Sequence, residues 1–447
     1  MKSTWDVLIV GAGSAGATAA LHLARAGRRV LVLDARALDE AGAQWVNGVP
    51  GWMFDRAGVA RPSDPPELRS APARHVIVDP GWEHRVVLPR SPLLSVDMRH
   101  LIARLQREAR AAGATLTGRT PVRDVLLEGE RVVGVRTPEG EVRARFVIDA
   151  SGLAGVVRSK VPALRAECPA PRASDVCSAA QEVRRIADLD GARRWIAAHG
   201  APGDALGVVG LEGGFSTRNV NVDLRSGEVD ILTGAIAERG RMSGPELLDA
   251  FVRAQPWVGE KVFGGSGAIP LRRPFDRLSA PGVALIGDAA CQVFPAHGSG
   301  VGAGMIAARV LAEALLAHAP QAGDGAHDPG VRYEATFHRA TGALLAAYDV
   351  FRRLSQDLSA EDLAGMFAAG LIDPVGFEAG LSQRMPVLGA RDVLRLGAAA
   401  TRAPRLAARF GPAVVRMRLA HALYRARPRR RELLFAWSRA AERLVDA

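Results

Sequence analysis

Short apolar runs and a helical pattern alternate at the start of the chain. Residues Trp5–Val10 form a continuous apolar run of strand length, residues 14–27 have helical spacing and end at Gly27, and residues 29–35 form a second apolar run. Strand, helix and strand in this order predict two parallel strands joined by a right-handed crossover.

The later pattern predicts a second sheet and a helical tail. Residues 42–92 read mostly as long loops that contain one short strand pair, and residues 95–114 read as an amphipathic helix. Turn signals separate the predicted strands, and Pro and Gly interrupt the helical tail. The remaining predicted strands are 122–128, 131–137, 141–152, 216–224 and 228–236, and the remaining helices are 189–199, 243–254 and most of 331–447.

Composition narrows the class of protein. The chain has 447 residues, three cysteines and a formal net charge of +11. The cysteines fit neither a disulfide framework nor a zinc site, which predicts a reduced, cytoplasmic protein without a bound metal. The start does not resemble a signal peptide. The sequence contains no run of about 18 apolar residues, so it predicts no membrane span.

The charge has two interpretations. Arginines occur along the whole chain without a nucleic-acid-binding pattern, so we expect no nucleic-acid partner. The dense run Arg425–Leu434 leaves peripheral contact with a membrane or an acidic partner open, although a solvated helix end is the simpler explanation.

The motif GAGSAG follows the first predicted strand and opens the first helix. Gly11 permits the tight turn, Gly13 lets a diphosphate approach the backbone, and Gly16 lets the helix pack on the strand. The helix start, with Ser14 and Ala15, presents free N–H groups to the phosphates.

An acidic residue completes this first motif. Asp34 ends the second strand, just before Ala35, at the spacing of an acid that binds a ribose hydroxyl. We therefore expect a dinucleotide site at this end of the strands.

A second glycine-rich stretch, Val283–Leu316, runs from a predicted strand into an Ala/Leu helix. It contains the pair Gly287 and Asp288, and then the loop FPAHGSGVGAG. Together with DVLIVGAGSAG, VLVLDA and VIDASG, this stretch resembles the single-Rossmann FAD-dependent oxidoreductases, the superfamily of aromatic hydroxylases, flavin halogenases and geranylgeranyl reductases. The resemblance spans the first three quarters of the chain.

The resemblance implies FAD as the cofactor and assigns roles to several residues. Asp288 is expected to bind sugar-like hydroxyls of FAD, and Ser151 and Gly152 to lie near its adenine half. Arg99 is expected at the FAD phosphates, with Arg104 as a competitor and a surface role as an equal alternative. The second loop is expected against the flavin, where side chains would collide with the ring, through Pro295, Gly298, Gly300, Val301 and Gly302.

The resemblance also implies an α/β fold, α+β overall, with three parts. A Rossmann-like FAD-binding domain is predicted over 1–72, 96–168 and 276–322. An interleaved antiparallel-sheet substrate domain covers 73–95 and 169–275, and a helical C-terminal region covers 330–447.

Few residues stand out for substrate chemistry. His297 is the candidate for proton transfer near the flavin, although its imidazole could equally bond a carbonyl. Trp45 and Trp52 could wall the substrate pocket or belong to the core. Cys291 fits a small buried hydrophobe better than a reactive thiol.

Among the branches of the superfamily, the chain looks most like the geranylgeranyl-reductase-like flavoprotein dehydrogenases. The halogenase lysine and Trp-x-Trp segment are absent, the loop departs from the hydroxylase pattern, and the reductases' Tyr-x-Trp-x-Phe-Pro motif is also missing. We expect a dehydrogenase or reductase acting at flavin N5 on a small or medium hydrophobic molecule. The alternative is a monooxygenase using NAD(P)H and oxygen, and a basic binding protein without redox chemistry is a third hypothesis.

No second G-x-G-x-x-G motif is visible in the sequence. Electrons are therefore expected from transient NAD(P)H or from a partner reductase.

Overall fold

The computed structural model describes residues 4–70, 72–200, 203–317 and 328–446. The predicted domain limits at residues 1, 322 and 447 lie outside these ranges. The strands are, in chain order, β1 Trp5–Val10, β2 Val30–Leu33, β3 Val46–Pro50, β4 Leu68–Ser70, β5 Arg74–Val78, β6 Arg85–Leu88, β7 Leu93–Asp97, β8 Thr115–Thr117, β9 Asp124–Glu128, β10 Arg131–Thr137, β11 Gly140–Asp149, β12 Val176–Ile186, β13 Asp204–Val209, β14 Ser216–Asp223, β15 Glu228–Ala235, β16 Val258–Pro270, β17 Ser279–Ala280 and β18 Val283–Leu285.

Helices alternate with these strands and then form the C-terminal part. They are α1 Ser14–Arg25, α2 Gly51–Ala57, α3 Met98–Ala111, α4 Pro162–Glu167, α5 Leu189–His199, α6 Gly244–Ala254, α7 Val301–Leu316, α8 Pro329–Phe337, α9 Ala343–Gln356, α10 Ala360–Ala369, α11 Pro374–Leu381, α12 Ala390–Arg402, α13 Pro404–Arg425 and α14 Leu434–Ala441.

The first sheet has the order β17-β18-β11-β1-β2-β8, and β10 and β9 extend from β11 as an antiparallel pair. Strand β1 pairs in parallel with both β2 and β11, as the strand–helix–strand pattern predicts. Helices α1, α3 and α7 pack together beside this sheet, and their apolar side chains share one core with its strands. Parallel strands need such cover because both of their faces are apolar.

The second sheet has seven strands in the order β16-β12-β15-β14-β13-β5-β6. Its pairs are antiparallel except that β13 runs parallel to β5. The apolar side chains on one face of this sheet pack against α5 and α6, which contribute Trp195 and Phe251. A small third sheet has the order β3-β7-β4. This mixed architecture confirms the predicted α/β fold class, whereas the assignment of domain limits stays a prediction.

Several local predictions were wrong. Residues 95–97 belong to strand β7, and the helix begins only at Met98, because the Asp97 carboxylate accepts the Arg99 N–H and caps the helix there. The predicted loop region 42–92 contains helix α2. Strands β12 and β16 were not predicted, because glycines and polar residues interrupt their apolar alternation.

Candidate functional site

The GAGSAG turn connects β1 to α1 and is held by close backbone contacts. Gly11 has a φ of 108°, and a side chain on it would overlap the carbonyl of Ala150. A side chain on Gly16 would overlap the Gly11 carbonyl, so the absence of a side chain there lets the helix pack directly on the strand.

The start of α1 is open to an anion. Gly13 is the N-cap residue, no side chain caps the helix, and its first turn has no acidic residue. A side chain on Gly13 would meet only the backbone of Gly42, whose Cα would lie 3.3 Å away. Uncapped N–H groups with the positive end of the helix dipole are suited to a diphosphate.

Asp34 is fixed against this turn. Its carboxylate, 8% exposed, accepts the N–H of Ala12 at 2.8 Å and the N–H of Arg36 at 2.9 Å, while the adjacent Ala35 is exposed. The remaining lone pairs of the carboxylate are available to a hydroxyl group.

Gln106, which the sequence pattern did not single out, holds the same turn from the other side. Its Nε2 donates to the carbonyls of Ala12 at 3.0 Å and Leu38 at 2.9 Å. The available signal was a glutamine on the buried face of the amphipathic helix α3.

The turn that contains Gly287 and Asp288 follows β18. The side chain of Gln292 accepts the Gly287 N–H at 2.8 Å and donates to the hydroxyl of Tyr333, and neither residue was predicted to belong to the site. The Asp288 carboxylate has no hydrogen-bond partner within the described ranges, and burial raises its pKa to about 6. A half-buried carboxylate without a partner fits the hydroxyl groups that FAD would bring.

The two turns are in direct contact. The Cβ of Ala15, in the first turn of α1, lies 3.3 Å from the position of a Cβ on Gly287 and 3.3 Å from that of a Cβ on Gly304. The start of α7 also lacks a side-chain cap and an acidic residue. The structure therefore brings together the two helix starts, Asp34 and Asp288, and so places backbone donors close to carboxylate acceptors.

The glycines at the start of α7 are in close contact with other parts of the protein, and their expected contact with a flavin stays a prediction. A side chain on Gly300 would lie 2.8 Å from Cγ2 of Val293, and a side chain on Gly302 would lie 2.6 Å from Cε of Met53. The protein itself therefore requires these two glycines. Within this loop, Gly298 has a φ of 78°, and a Cβ added to it would make ordinary contacts with Leu271 at 3.6 Å and Ile269 at 3.9 Å, next to the buried Pro295.

The loop after β11 is shaped by Asp149, a further residue that the sequence pattern did not single out. This buried carboxylate accepts the N–H groups of Val157 and Arg158 and the N–H and hydroxyl of Ser151. Gly152 has a φ of 72°, and a Cβ added to it would have no atom within 4 Å. The loop therefore offers backbone and open space, while the Ser151 hydroxyl is already engaged.

The two candidate arginines have protein partners. Arg99 is bound by Asp97 at 2.7 Å and stacks on the ring of Phe263, 3.5 Å from its centre. Arg104 is bound by Glu67 and Glu108. A role for either in binding phosphate stays a prediction.

His297 lies in the loop before α7 and packs against the ring of Phe294, with 4.7 Å between the ring centres. Its Nε2 is buried without a hydrogen bond. Burial lowers the pKa of His297 to about 4, although the carbonyls of His297 and Gly380 favour the protonated ring slightly. The imidazole is therefore neutral near pH 7.

The loop with His297 covers one face of the second sheet, which we call the inner face. It is defined by the paired rows Ala179–Gly234–Thr217 and Gln181–Leu232–Asn219. Val293 and the side chains of Cys177 and Ile269 pack where the loop meets this face.

His75 belongs to the same inner face, on β5 beside Ala205. It is 6% exposed, its Nδ1 has no partner, and burial lowers its pKa to about 4. A positive charge on His75 would lower the pKa of His297. No pattern along the chain predicts this pair.

The aromatic candidates lie at two borders of this region. The Trp45 ring covers the inner face at Gly267, where a side chain would lie 2.8 Å from the ring. Trp52 donates its indole N–H to the carbonyl of Ser382 at 2.8 Å, and Arg384 lies over its ring. Cys291 is fully buried, and burial raises the pKa of its thiol to about 12, which makes it unreactive near pH 7.

Two features of the described residues bear on other functions. No group of three or more His, Cys, Asp or Glu side chains in these ranges is placed to hold a metal ion. None of the helices in the same ranges combines the length and the apolar character needed to cross a bilayer.

Comparisons with known proteins agree with this geometry. Residues 6–162 match the family model described as FAD dependent oxidoreductase. The chain is 28% identical over 366 residues to digeranylgeranylglycerophospholipid reductase 2 of Methanopyrus kandleri, an alignment that covers 79% of this chain and 88% of that protein.

Two solved structures show the same fold. A geranylgeranyl bacteriochlorophyll reductase-like protein from Thermoplasma acidophilum superposes with a TM-score of 0.71 at 18% identity, covering 92% of this chain and 99% of that one. The myxobacterial chondrochloren halogenase gives a TM-score of 0.57 at 19% identity, with coverages of 90% and 97%.

Proposed function

Because the chain is an enzyme of the FAD-dependent oxidoreductase superfamily, we propose that it is a reductase or dehydrogenase of a hydrophobic molecule. FAD, when bound, supplies a two-electron donor or acceptor at its N5 atom. The residues of this chain bind the cofactor, exclude water and orient the substrate.

We propose that the N–H groups of Gly13, Ser14 and Ala15 hold the diphosphate, where α1 is uncapped. Asp34 would accept a ribose hydroxyl, and Asp288 would accept hydroxyls elsewhere on the cofactor. Gly298 would lie against the flavin, since a Cβ there, unlike one on Gly300 or Gly302, would overlap no protein atom. Gly11, Gly16, Gly300 and Gly302 shape this site through contacts within the protein.

The substrate would lie on the inner face, between the loop with His297 and the strands. Leu232 and Ile269 give this region apolar surface, and Thr217 and Asn219 add hydrogen-bonding groups beside them. An apolar site with few polar groups suits a hydrophobic molecule that has one polar end or one polar functional group.

The single observation that carries the substrate part of this proposal is the buried nitrogen without a hydrogen bond on each of two imidazoles. His75 and His297 each have a buried nitrogen without a protein partner, and both rings are neutral near pH 7. Leaving such an atom unpaired is costly, so a substrate group that donates to it or accepts from it would be bound strongly. His297 can in addition pass a proton to or from the substrate atom next to the reacting bond.

The reductase direction is supported by several relatives that are named as digeranylgeranylglycerophospholipid reductases. We propose reduction of a carbon–carbon double bond, with NAD(P)H as a transient donor or a partner reductase as the source of electrons. The halogenase neighbour has the same fold at low identity and does not determine the reaction.

The proposal is tested with the purified protein. Its absorption spectrum is expected to show a flavin, and boiling is expected to release FAD. After anaerobic reduction with dithionite, addition of isoprenoid alkenes should reoxidise the flavin and give a saturated product by mass spectrometry.

Two outcomes would contradict it. A colourless protein that does not take up FAD rejects the cofactor. Stoichiometric oxygen consumption coupled to a hydroxylated product, without anaerobic reoxidation, favours the monooxygenase alternative. His297→Gln should slow reoxidation without removing bound FAD, and the partly exposed His84→Gln serves as the matched control.

A further inference from the structure

The net charge of the protein is concentrated in its last segment. Residues 387–447 contain 14 arginines and only 4 acidic residues, so they carry +10 of the total formal charge of +11. Arginines are indeed frequent throughout the chain, but elsewhere acidic residues balance them. The excess positive charge is therefore local, although the arginines themselves occur along the whole chain.

The same segment exposes apolar side chains. Among the described residues, every large apolar side chain that is more than half exposed lies here. They are Val387 (86%), Val393 (57%), Leu394 (74%), Val414 (52%), Val415 (58%), Leu419 (53%), Leu433 (54%) and Phe435 (77%).

Apolar and cationic groups share one side of α13. Val415, Leu419 and Ala422 follow each other at helical spacing, and Arg418 and Arg425 lie along the same side. The Arg418 guanidinium donates to the carbonyl of Pro386 at 2.8 Å, which brings the segment before α12 to this helix. We call the exposed part of residues 387–443 the C-terminal surface.

Many of the arginines on the C-terminal surface are not neutralised. Eight exposed ones have no ion-pair partner within the described parts of the chain, namely Arg391, Arg402, Arg405, Arg418, Arg425, Arg429, Arg430 and Arg443; of these, Arg402 and Arg418 donate to backbone carbonyls. Exposed apolar groups and unpaired guanidinium groups occur together where a helix lies in a membrane interface.

We propose that the C-terminal surface docks on a bilayer that contains anionic phospholipids. The arginines bind headgroup phosphates, and the apolar side chains enter the boundary of the acyl chains. A second copy of the chain fits less well, because two surfaces of +10 would repel each other. A nucleic acid would use the charge but not the exposed Leu and Phe side chains.

The C-terminal surface is connected to the candidate substrate region. Trp52 is bonded to Ser382, Arg384 lies over the Trp52 ring, and Pro386 contacts Arg418. Docking would place this side of the enzyme next to the bilayer, from which a hydrophobic molecule could enter. The docking itself does not depend on the proposed reaction.

Co-sedimentation of the full chain with vesicles tests the proposal. Vesicles of equal parts phosphatidylglycerol and phosphatidylcholine should bind the protein, and pure phosphatidylcholine vesicles should bind it much less. Binding by the wild-type protein should weaken strongly as salt is raised, since the charges are exposed.

Variants locate the contact. R425Q/R429Q/R430Q should weaken binding about 100-fold, since each cation near an anionic surface contributes roughly fivefold. L419Q/F435Q should weaken it at least about tenfold. The controls R28Q/R107Q/R123Q and L189Q/V262Q remove exposed groups of the same kinds elsewhere and should bind as the wild-type protein does.

Absence of binding to the anionic vesicles would overturn the proposal, as would equal losses in the test and control variants. A dimer in analytical ultracentrifugation that L419Q/F435Q dissociates would replace the bilayer by a second copy. Both readouts are independent of FAD, so they distinguish failure of docking from failure of the proposed reaction.

Discussion

The side chain of Met53 fills the space beside Gly302. A Cβ on Gly302 would overlap Sδ of Met53 and lie 2.9 Å from its Cβ, and Met53 is fully buried. Helix α2, from a segment predicted to be loop, therefore packs against the glycine-rich start of α7. The glycine is required by this helix contact, whether or not a cofactor is bound.

Gly302→Ala is expected to lower the free energy of unfolding of the apoprotein by about 1–3 kcal/mol, because the added methyl group overpacks the contact with Met53. Urea unfolding followed by circular dichroism measures this. The control is Gly397→Ala, on the exposed side of α12 with no atom within 4 Å, where the change should be neutral or stabilising by up to about 1 kcal/mol. Unchanged stability together with lost FAD affinity would instead favour the original explanation by flavin contact.

FAD binding should weaken on acidification through Asp288. Burial raises the pKa of this carboxyl to about 6 in the protein without cofactor, and hydroxyl donors from FAD would favour the ionised form. The dissociation constant, measured by flavin fluorescence, should therefore rise as the pH falls from about 7.5 to about 5. Asp288→Asn should bind more weakly at the upper end of this range and lose this component of the pH dependence.

The same carboxyl affects the stability of the apoprotein with the opposite sign. A pKa raised by folding means that ionisation is disfavoured in the folded state, so stability should fall as the pH rises from about 4 to 6. The difference between the wild-type protein and Asp288→Asn isolates this contribution. An identical pH dependence of the two proteins would show that Asp288 is not desolvated.

Two buried histidines should destabilise the protein in acid. Burial lowers the pKa of His75 and of His297 to about 4. The stability that their neutral rings contribute is therefore fully present above pH 6.5 and is lost as the pH falls towards 4. H75Q/H297Q should flatten the dependence of the urea midpoint on pH in this window. The pH dependence that remains in this variant includes the contribution of His338, because burial lowers its pKa as well.

Asp349→Asn should cost about 3 kcal/mol of stability. The carboxylate is fully buried, and although burial raises its pKa, the charges of Arg352 and Arg353 hold the pKa below its ordinary value. The substitution leaves the buried Arg352 with less compensation, and such losses are large. Glu128→Gln breaks the exposed pair with Arg143 and should leave the unfolding midpoint unchanged.

Features that depend on near neighbours along the chain could be predicted before the structure was known. The apolar run Trp5–Val10, the GAGSAG turn and the acid at position 34 follow from side-chain period, glycine conformation and spacing, and the structure has the strand, the turn and the helix start in these positions. The superfamily assignment rested on these local motifs and was confirmed by the comparisons.

Contacts between distant parts of the chain emerge only on folding. Gln106 bonds Ala12 from 94 residues away, and Trp52 bonds Ser382 from 330 residues away. The nitrogens of His75 and His297 that folding leaves buried without a hydrogen bond could not be identified from the sequence either. Such contacts escape prediction because periodicity and turn chemistry act over a few residues, whereas desolvation, packing and unpaired polar atoms depend on the neighbours that folding supplies.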